Sequence, residues 1–433
     1  MFYTPNCPEC MGKTDSESIQ NAVNMAKKTG VDKVVIPRIN ERTGSARWDI
    51  DVGVTLPSDI QIVLDNCYIR QVDGVFDNVF RNENFYNEEL RVKPEGEQRN
   101  IHINGIGNAL IDGGLHNGIT EEGHKPGDPP MWVNNMILMH NVDGFSITGI
   151  KMINQRWWAI HLVFCSNGLV ENLKFDAKND APNQDGVNLR NGCNNITVKN
   201  IYGYCGDDVV ALSGFMGYVR KRGFEVQGKS NDIHHVFINN IMACSRQYAT
   251  VGLRNMDGIK LHDITVDGIT DISDGITAKP MTMVRLGQKA FCHIRPSEIG
   301  ETSRIFINNV HVNHGIGVMV NLTVSDSHFS NFFMGKDSGS AITTCTKMEE
   351  FLPGATMRNV TIDGIYCDAE HNSEDPLIEL LAGKNHSAGE SMHTKFYVDA
   401  PEYLENVVIK NINTAKKTNI FYSEFNEGYY IEK

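Results

Sequence analysis

The stretch Asn194-Asn195-Ile196-Thr197-Val198-Lys199-Asn200-Ile201 decides the fold. Apolar and polar side chains alternate in it with a period of two, which is typical of a short strand with one buried face. The same pattern recurs from about residue 60 onward, and its copies begin at Asn141, Asp232, Asp257, Ser303, Met357 and Glu405. Repeated short strands without intervening helices predict a parallel β-helix, with asparagines stacked in ladders at one corner. A β-sandwich is the less favoured alternative.

The fold class is therefore expected to be all-β, a single-stranded parallel β-helix (a solenoid) with an N-terminal capping helix. One domain is expected over residues 1–433, with the cap helix at about 12–30 and the coils at about 31–433. The helix has an acidic start and ends at Gly30, and it would cover the apolar open end of the solenoid. Loop insertions are expected near 74–100, 113–135, 214–230 and 370–400.

The composition excludes several classes of protein. The formal net charge of −13 argues against binding nucleic acid, and no run of about 18 apolar residues predicts a membrane helix. The first residues lack the basic and apolar regions of a secretory signal, so a cytoplasmic location is expected. A secreted protein whose leader had been removed would begin in the same way. The ten scattered cysteines fit buried free thiols better than disulfides.

Three aspartates form the candidate site. Asp185 follows Asn183-Gln184, and Asp207-Asp208 follows Gly206, 22 positions after Asp185. If this spacing is one coil, stacked strands about 4.7–4.9 Å apart bring three carboxylates into one patch. Two carboxyl groups are what hydrolysis of a glycosidic bond requires. The competing interpretation is a pair of ordinary turns, in which these residue types are common.

The residues around these aspartates resemble glycoside hydrolase family 28, the polygalacturonase-like enzymes. The order and spacing of four segments carry the resemblance: 157–162 (WWAIHL), 165–167 (CSN), 181–186 (APNQDG) and 206–212 (GDDVVAL). It implies a right-handed β-helix and an inverting hydrolase that needs no metal or other cofactor. It also implies that Asp207 is the general acid, while Asp185 and Asp208 hold and activate the water.

Two motifs depart from that family. Where that family has Gly-His-Gly, the sequence has the segment 244–252, which contains no histidine. Arg246 or Tyr248 stands nearest the position of the family's histidine. In place of its Arg-Ile-Lys, Arg285 is followed by Leu286 and Gly287. Arg285 either binds a substrate carboxylate or pairs with a neighbouring aspartate. These departures predict a different sugar or a modified uronide.

Three further residues are candidate substrate contacts: Asn183, Trp158 and His161. His234 and His235 are consecutive in a predicted strand, so their side chains are expected on opposite faces, which would exclude a joint metal site. The expected partner is an oligo- or polysaccharide, with no nucleic acid and no membrane, and the oligomeric state stays open. Two other functions compete: a β-helix lyase that uses Ca²⁺ and a basic residue such as Arg246 or Arg285, and a non-catalytic carbohydrate-binding solenoid.

Overall fold

A computed structural model describes most of the chain. It covers residues 1–120, 130–178, 182–287, 297–321, 323–344, 356–371, 373–382, 403–414 and 419–432, together with 125, 128, 295, 389–390 and 395–396. The chain forms two compact units. The first comprises Met1–Leu189, Asn195–Asp207 and Phe224–Lys229, and the second comprises Arg190–Asn194, Asp208–Gly223 and Ser230–Lys433. The single domain over 1–433 stays a prediction.

Short strands make up most of the described chain. Their bounds are Lys33–Ile36, Arg47–Ile50, Val54–Leu56, Ile60–Asp65, Tyr68–Gln71, Phe80–Asn82, Gln98–Ile106, Leu110–Asp112, Ile137–His140, Val142–Thr148, Lys151–Ile153, Ile160–Val163, Ser166–Asp176, Val187–Arg190, Asn194–Cys205, Val210–Gly214, Ile233–Ser245, Ala249–Asn255, Leu261–Asp271, Thr282–Leu286, Thr302–Val320, Thr323–Ser338, Ile342–Thr343, Thr356–Cys367, Ile378–Leu380, Gly389–Glu390, Lys395–Phe396, Leu404–Asn413, Phe421–Ser423 and Tyr429–Ile431. The helices are Asp15–Thr29, Glu88–Arg91 and Met216–Arg222, with 3₁₀ turns at Glu83–Tyr86, Pro94–Gly96 and Met131–Asn134.

In the first unit the strands stack in parallel, and apolar residues stack with them. In the first sheet the register joins Val34, Ile62, Ile103, Ile147 and Val170 in one buried row. In the second sheet it joins Phe80, Ile137, Ile160 and Val187 in another. Each coil therefore contributes one apolar side chain to each row, and the core lies between the sheets.

The second unit repeats this arrangement. Its first sheet stacks the buried residues Ile238, Val266, Ile307, Phe329, Ile362 and Ile409. Its second sheet stacks Val210, Val251, Val284, Val318, Ile342 and Ile378. Parallel pairing of successive coils is the pattern of a parallel β-helix, so the predicted fold class is confirmed and the β-sandwich is excluded.

The repeated asparagines turn the corners of the coils. Asn195 and Asn200 both have left-handed backbones, with φ of 54° and 55°, a conformation that asparagine tolerates better than most residues. The Asn200 amide donates to Asn172 Oδ1 on the next coil at 3.0 Å. In the second unit Asn406 donates to Asn359 Oδ1 at 3.0 Å. The predicted asparagine ladders are therefore present in both units.

The N-terminal helix spans Asp15–Thr29, and Thr14 caps its first turn by accepting a hydrogen bond from the Glu17 N–H. Its buried face includes Ile19, Ala22, Val23 and Ala26, which pack on the first strands. The segment 74–100, expected as a loop, contains the strand Phe80–Asn82, and the segment 214–230 contains the helix Met216–Arg222. Most of the insertion expected at 370–400 and part of that at 113–135 lie outside the described residues.

Two expectations from composition bear on the described residues. No helix among them is both long enough and apolar enough to cross a membrane. The eight cysteines described there have free thiols, as the sequence predicted.

Candidate active site

Asp185 lies in the first unit, just before the strand Val187–Arg190, and is buried. Its Oδ2 accepts a hydrogen bond from Asn188 Nδ2 at 3.1 Å. The backbone beside it is fixed by Gln155 and Gln184. Gln184 Nε2 donates to the Gln155 carbonyl at 2.9 Å, and Gln155 Nε2 donates to the Gln184 carbonyl at 3.3 Å. These buried hydrogen bonds hold the turn that presents Asp185.

Asp207 is attached to the same turn. The backbone N–H groups of Gly206 and Asp207 both donate to the Gln184 carbonyl, at 3.0 and 3.4 Å. Asp207 is half-buried, whereas Asp185 and Asp208 are buried. One oxygen from each of the three carboxylates lies within 4.8 Å of those of the other two. The structure therefore brings together the three aspartates that the sequence singled out.

Asp208 is fully buried, and its contacts lie in the second unit. Its Oδ1 accepts a hydrogen bond from the Ala249 N–H at 3.1 Å, and its Oδ2 forms an ion pair with Arg254 Nη2. Arg254 is nearly buried itself, with 9% of its surface exposed. A buried charge is stable only when it is paired and hydrogen-bonded, so this pair keeps Asp208 as a carboxylate.

Gly252 leaves room for that ion pair. A Cβ atom at this position would lie 2.9 Å from Asp208 Oδ2 and 2.7 Å from Arg254 Nη2. Sequence reasoning missed both Gly252 and Arg254. The signal was present in the alternation of Val251-Gly252-Leu253-Arg254, which places the glycine and the arginine on one face of the strand.

The predicted sugar-binding groups of the second unit have protein partners. Arg285 is buried, with 1% of its surface exposed. When the side-chain amide of Asn321 is placed with its oxygen toward the Arg285 guanidinium, that oxygen accepts hydrogen bonds from Nη2 at 3.0 Å and from Nε at 3.2 Å. In register, Arg285 lies opposite Gly252 on the neighbouring strand. Arg246 Nη1 donates to the Thr277 carbonyl at 3.0 Å, and the Tyr248 N–H donates to Ser245 Oγ at 2.8 Å. Both are half-buried, and their contact with substrate stays a prediction.

Of the predicted contacts of the first unit, His161 lies in a strand of the second sheet, and Trp158 and Asn183 each precede such a strand. His161 is in register with Asn188, the residue that binds Asp185. It is buried, with Nδ1 3.0 Å from Asn135 Nδ2 and its ring edge-on to Trp158 at a centroid distance of 4.9 Å. Trp158 is also buried, and Asn183 is half-buried with a left-handed backbone, φ 59°. His161 and Trp158 are therefore packed against each other beside the strand that carries Asn188.

The three carboxylates are also the one group among the described residues that is arranged to hold a metal ion. A hard cation such as Ca²⁺ takes six to eight oxygen ligands, and three carboxylates would supply only part of that set. Arg254 already provides a positive charge to Asp208. The donor set therefore fits a dication incompletely, and independence from metal stays a prediction.

Comparison with known proteins agrees with this geometry. The model of "Glycosyl hydrolases family 28" matches residues 87–228, the segment that contains all three aspartates. The match covers about a third of the chain and is a similarity to family 28 over that segment. The resemblance predicted from the sequence is thus confirmed over this segment. A probable polygalacturonase of Vitis vinifera is 33% identical over 82 residues, which cover 19% of this chain and 16% of the grape protein.

Solved structures are similar in fold. Gene product 12 of bacteriophage phi29 is 12% identical with a TM-score of 0.54, covering 95% of this chain and 52% of that one. The polygalacturonase of Erwinia carotovora ssp. carotovora is 14% identical with a TM-score of 0.48, covering 86% and 94%. At 12% identity the likeness to gene product 12 shows the fold alone, and folds of this kind carry several functions. The function has to be argued from the family 28 segment and its carboxylates.

Proposed function

We propose that this chain is a glycoside hydrolase that cleaves a glycosidic bond in a pectic, uronic-acid-containing oligo- or polysaccharide. The observation that carries the proposal is the convergence of Asp185, Asp207 and Asp208 within the segment that matches family 28. Two carboxyl groups are needed for this reaction, one to protonate the leaving oxygen and one to activate water or attack the sugar.

The environments of the aspartates support different roles. Asp208 is paired with Arg254 and accepts a backbone hydrogen bond, so it is suited to act as an anion that orients or activates water. Asp185 accepts from Asn188 and is suited to the same task. Asp207 is the most exposed of the three, and one of its oxygens lies within 4.8 Å of an oxygen of each of the other two. Neighbouring like charges favour one protonated carboxyl group in such a cluster, and on the family resemblance we assign Asp207 as the general acid.

Inversion is proposed on the family resemblance, and the geometry offers a competitor. Inverting enzymes separate their carboxyl groups by about 6.5–9.5 Å to admit water, and retaining enzymes by about 5–5.5 Å. Oxygens no more than 4.8 Å apart suit the shorter class, although this distance joins the nearest oxygens rather than whole carboxyl groups. NMR of the first-formed anomer distinguishes the two mechanisms.

The decisive experiment is the variant Asp207→Asn, assayed for reducing ends released from pectic oligosaccharides. Loss of the general acid should lower kcat by about 10²-fold or more. Asp176→Asn is a matched control, because Asp176 is an exposed aspartate in the same unit and its variant should keep full turnover. Hydrolysis that persists in Asp207→Asn would refute the assignment. Unsaturated products that absorb ultraviolet light, and that disappear with a chelator, would indicate a lyase instead.

A further inference from the structure

The second sheet of the first unit continues away from Asp185 on the same face. Its register aligns Arg81, Leu138, His161 and Asn188 on successive strands. Register partners in a parallel sheet present their side chains to the same side, so Arg81 faces the side on which Asn188 binds Asp185. Three strand spacings of about 4.8 Å place Arg81 about 14 Å from Asn188 along the sheet. Leu138 and His161 are fully buried, so a glycan would run over the side chains that cover this row, from the Asp185 end to the Arg81 end.

An aromatic pair stands at that far end. Tyr86 ends the turn Glu83–Tyr86 and is 46% exposed, and Trp132 lies half-buried in the turn Met131–Asn134. Their ring centroids are 6.3 Å apart. Phe85 supports both rings from below, edge-on at centroid distances of 5.2 and 4.9 Å. Buried Phe85 thus holds two partly exposed rings in fixed positions.

Arg81 lies beside this pair and is buried, with 8% of its surface exposed. Its guanidinium carbon lies 4.4 Å from the centre of the Tyr86 ring, and its Nη1 forms an ion pair with Asp77. The carboxylate of Asp77 offsets the positive charge of Arg81. Arg81 therefore adds little net charge to this surface. Partial burial raises the pKa of the Tyr86 phenol, so the hydroxyl stays a neutral donor at physiological pH.

We propose that Tyr86 and Trp132 form a binding platform for the sugar rings of an oligosaccharide several units away from the bond that is cleaved. Aromatic faces carry a negative quadrupole, which attracts the polarised C–H groups on the flat side of a pyranose ring. The Tyr86 hydroxyl suits the hydroxyl and carboxylate groups at the rim of the sugar. Sites of this composition, mainly aromatic with a few polar groups, are typical of small-molecule recognition. The proposal rests on the proposed function and adds a subsite to it.

The test measures binding against chain length. The Asp207→Asn protein, which should not turn over substrate, is titrated calorimetrically with α-1,4-linked galacturonic acid oligosaccharides of increasing length. Affinity is expected to rise once the oligosaccharide spans the distance to the platform. Trp132→Ala or Tyr86→Ala should then raise Kd by roughly 3- to 10-fold for the long oligosaccharides only. Trp132→Phe keeps an aromatic face and should recover part of the loss.

Tyr202→Ala is the matched control, because Tyr202 is 45% exposed on the first sheet of the same unit and should be neutral. Equal losses for short and long oligosaccharides, the same loss in Tyr202→Ala, or no rise of affinity with length would each overturn the platform. The two proposals fail separately. If binding depends on chain length and on Trp132 but the wild type hydrolyses no oligosaccharide, only the platform is left standing. Hydrolysis by the wild type, with a dependence of kcat/KM on chain length that Trp132→Ala leaves unchanged, would leave only the catalytic assignment.

Discussion

Replacing Arg254 by methionine should destabilise the protein far more than replacing an exposed arginine. Asp208 is 0% exposed, so without its partner it becomes an uncompensated buried charge. Removing one partner of a buried pair costs about 3–5 kcal/mol, because the desolvated carboxylate keeps its penalty and loses its compensation. The matched control is Arg304→Met. Arg304 pairs with Asp263 at 2.6 Å on the surface, where such a pair contributes about 0–1 kcal/mol.

The measurement is urea unfolding of the single variants Asp208→Asn and Arg254→Met and of the double variant that combines them. The double variant should lose less stability than the sum of the single losses, since removing both charges leaves none unpaired. The physical argument is refuted if Arg254→Met loses less than about 1 kcal/mol, or if the two substitutions are additive. Turnover should fall with Arg254→Met even at temperatures where the variant is fully folded, because Asp208 would no longer be held in place.

Substitutions at three further positions test the fold and the first unit. Burial lowers the pKa of His140 to about 4. The unfolded state therefore binds a proton between pH 6.5 and 4 while the folded state does not, and stability should fall by about 3 kcal/mol over that range as pH decreases. His140→Gln should flatten this part of the stability profile, and an unchanged slope would contradict the argument. Asn200→Ala should cost about 1–2 kcal/mol through a lost hydrogen bond and a strained left-handed backbone, and Asn200→Gly should cost less; equal losses would count against the backbone contribution. Thr14→Ala should cost about 1 kcal/mol by removing the helix cap and Thr14→Ser little, both measured by thermal unfolding.

The fold was predictable because its signal repeats. Asn194–Ile201 and its copies each specify one buried face and one corner, and many weak local signals add up to one architecture. Coil boundaries inside polar segments were harder to predict. The strand Phe80–Asn82 lies in 74–100, where charged and amide residues hide three buried ones. Short strands of mixed polarity carry too little periodicity to be recognised alone.

The site was predictable only where the chain itself sets the distance. Asp207 and Asp208 are adjacent, and Asp185 lies one coil earlier, so spacing alone suggested their proximity. Arg254 pairs with Asp208 from 46 positions away, across an insertion that hides the register. The expectation for His234 and His235 was wrong. His235 takes a left-handed φ of 53°, which turns its ring back to within 2.7 Å of His234, measured between the Nδ1 atoms.

The first sheet of the second unit accepts coils of very different length. Thr265, Phe306, His328 and Thr361 are register neighbours in that order, although 41, 22 and 33 positions separate them. The short strands and their corners set the pairing. Additional residues therefore form longer connections between the paired strands and do not disturb the stack. Such a scaffold tolerates grafted segments. A foreign peptide placed between two strands would change one loop, and the neighbouring coils would still find their partners.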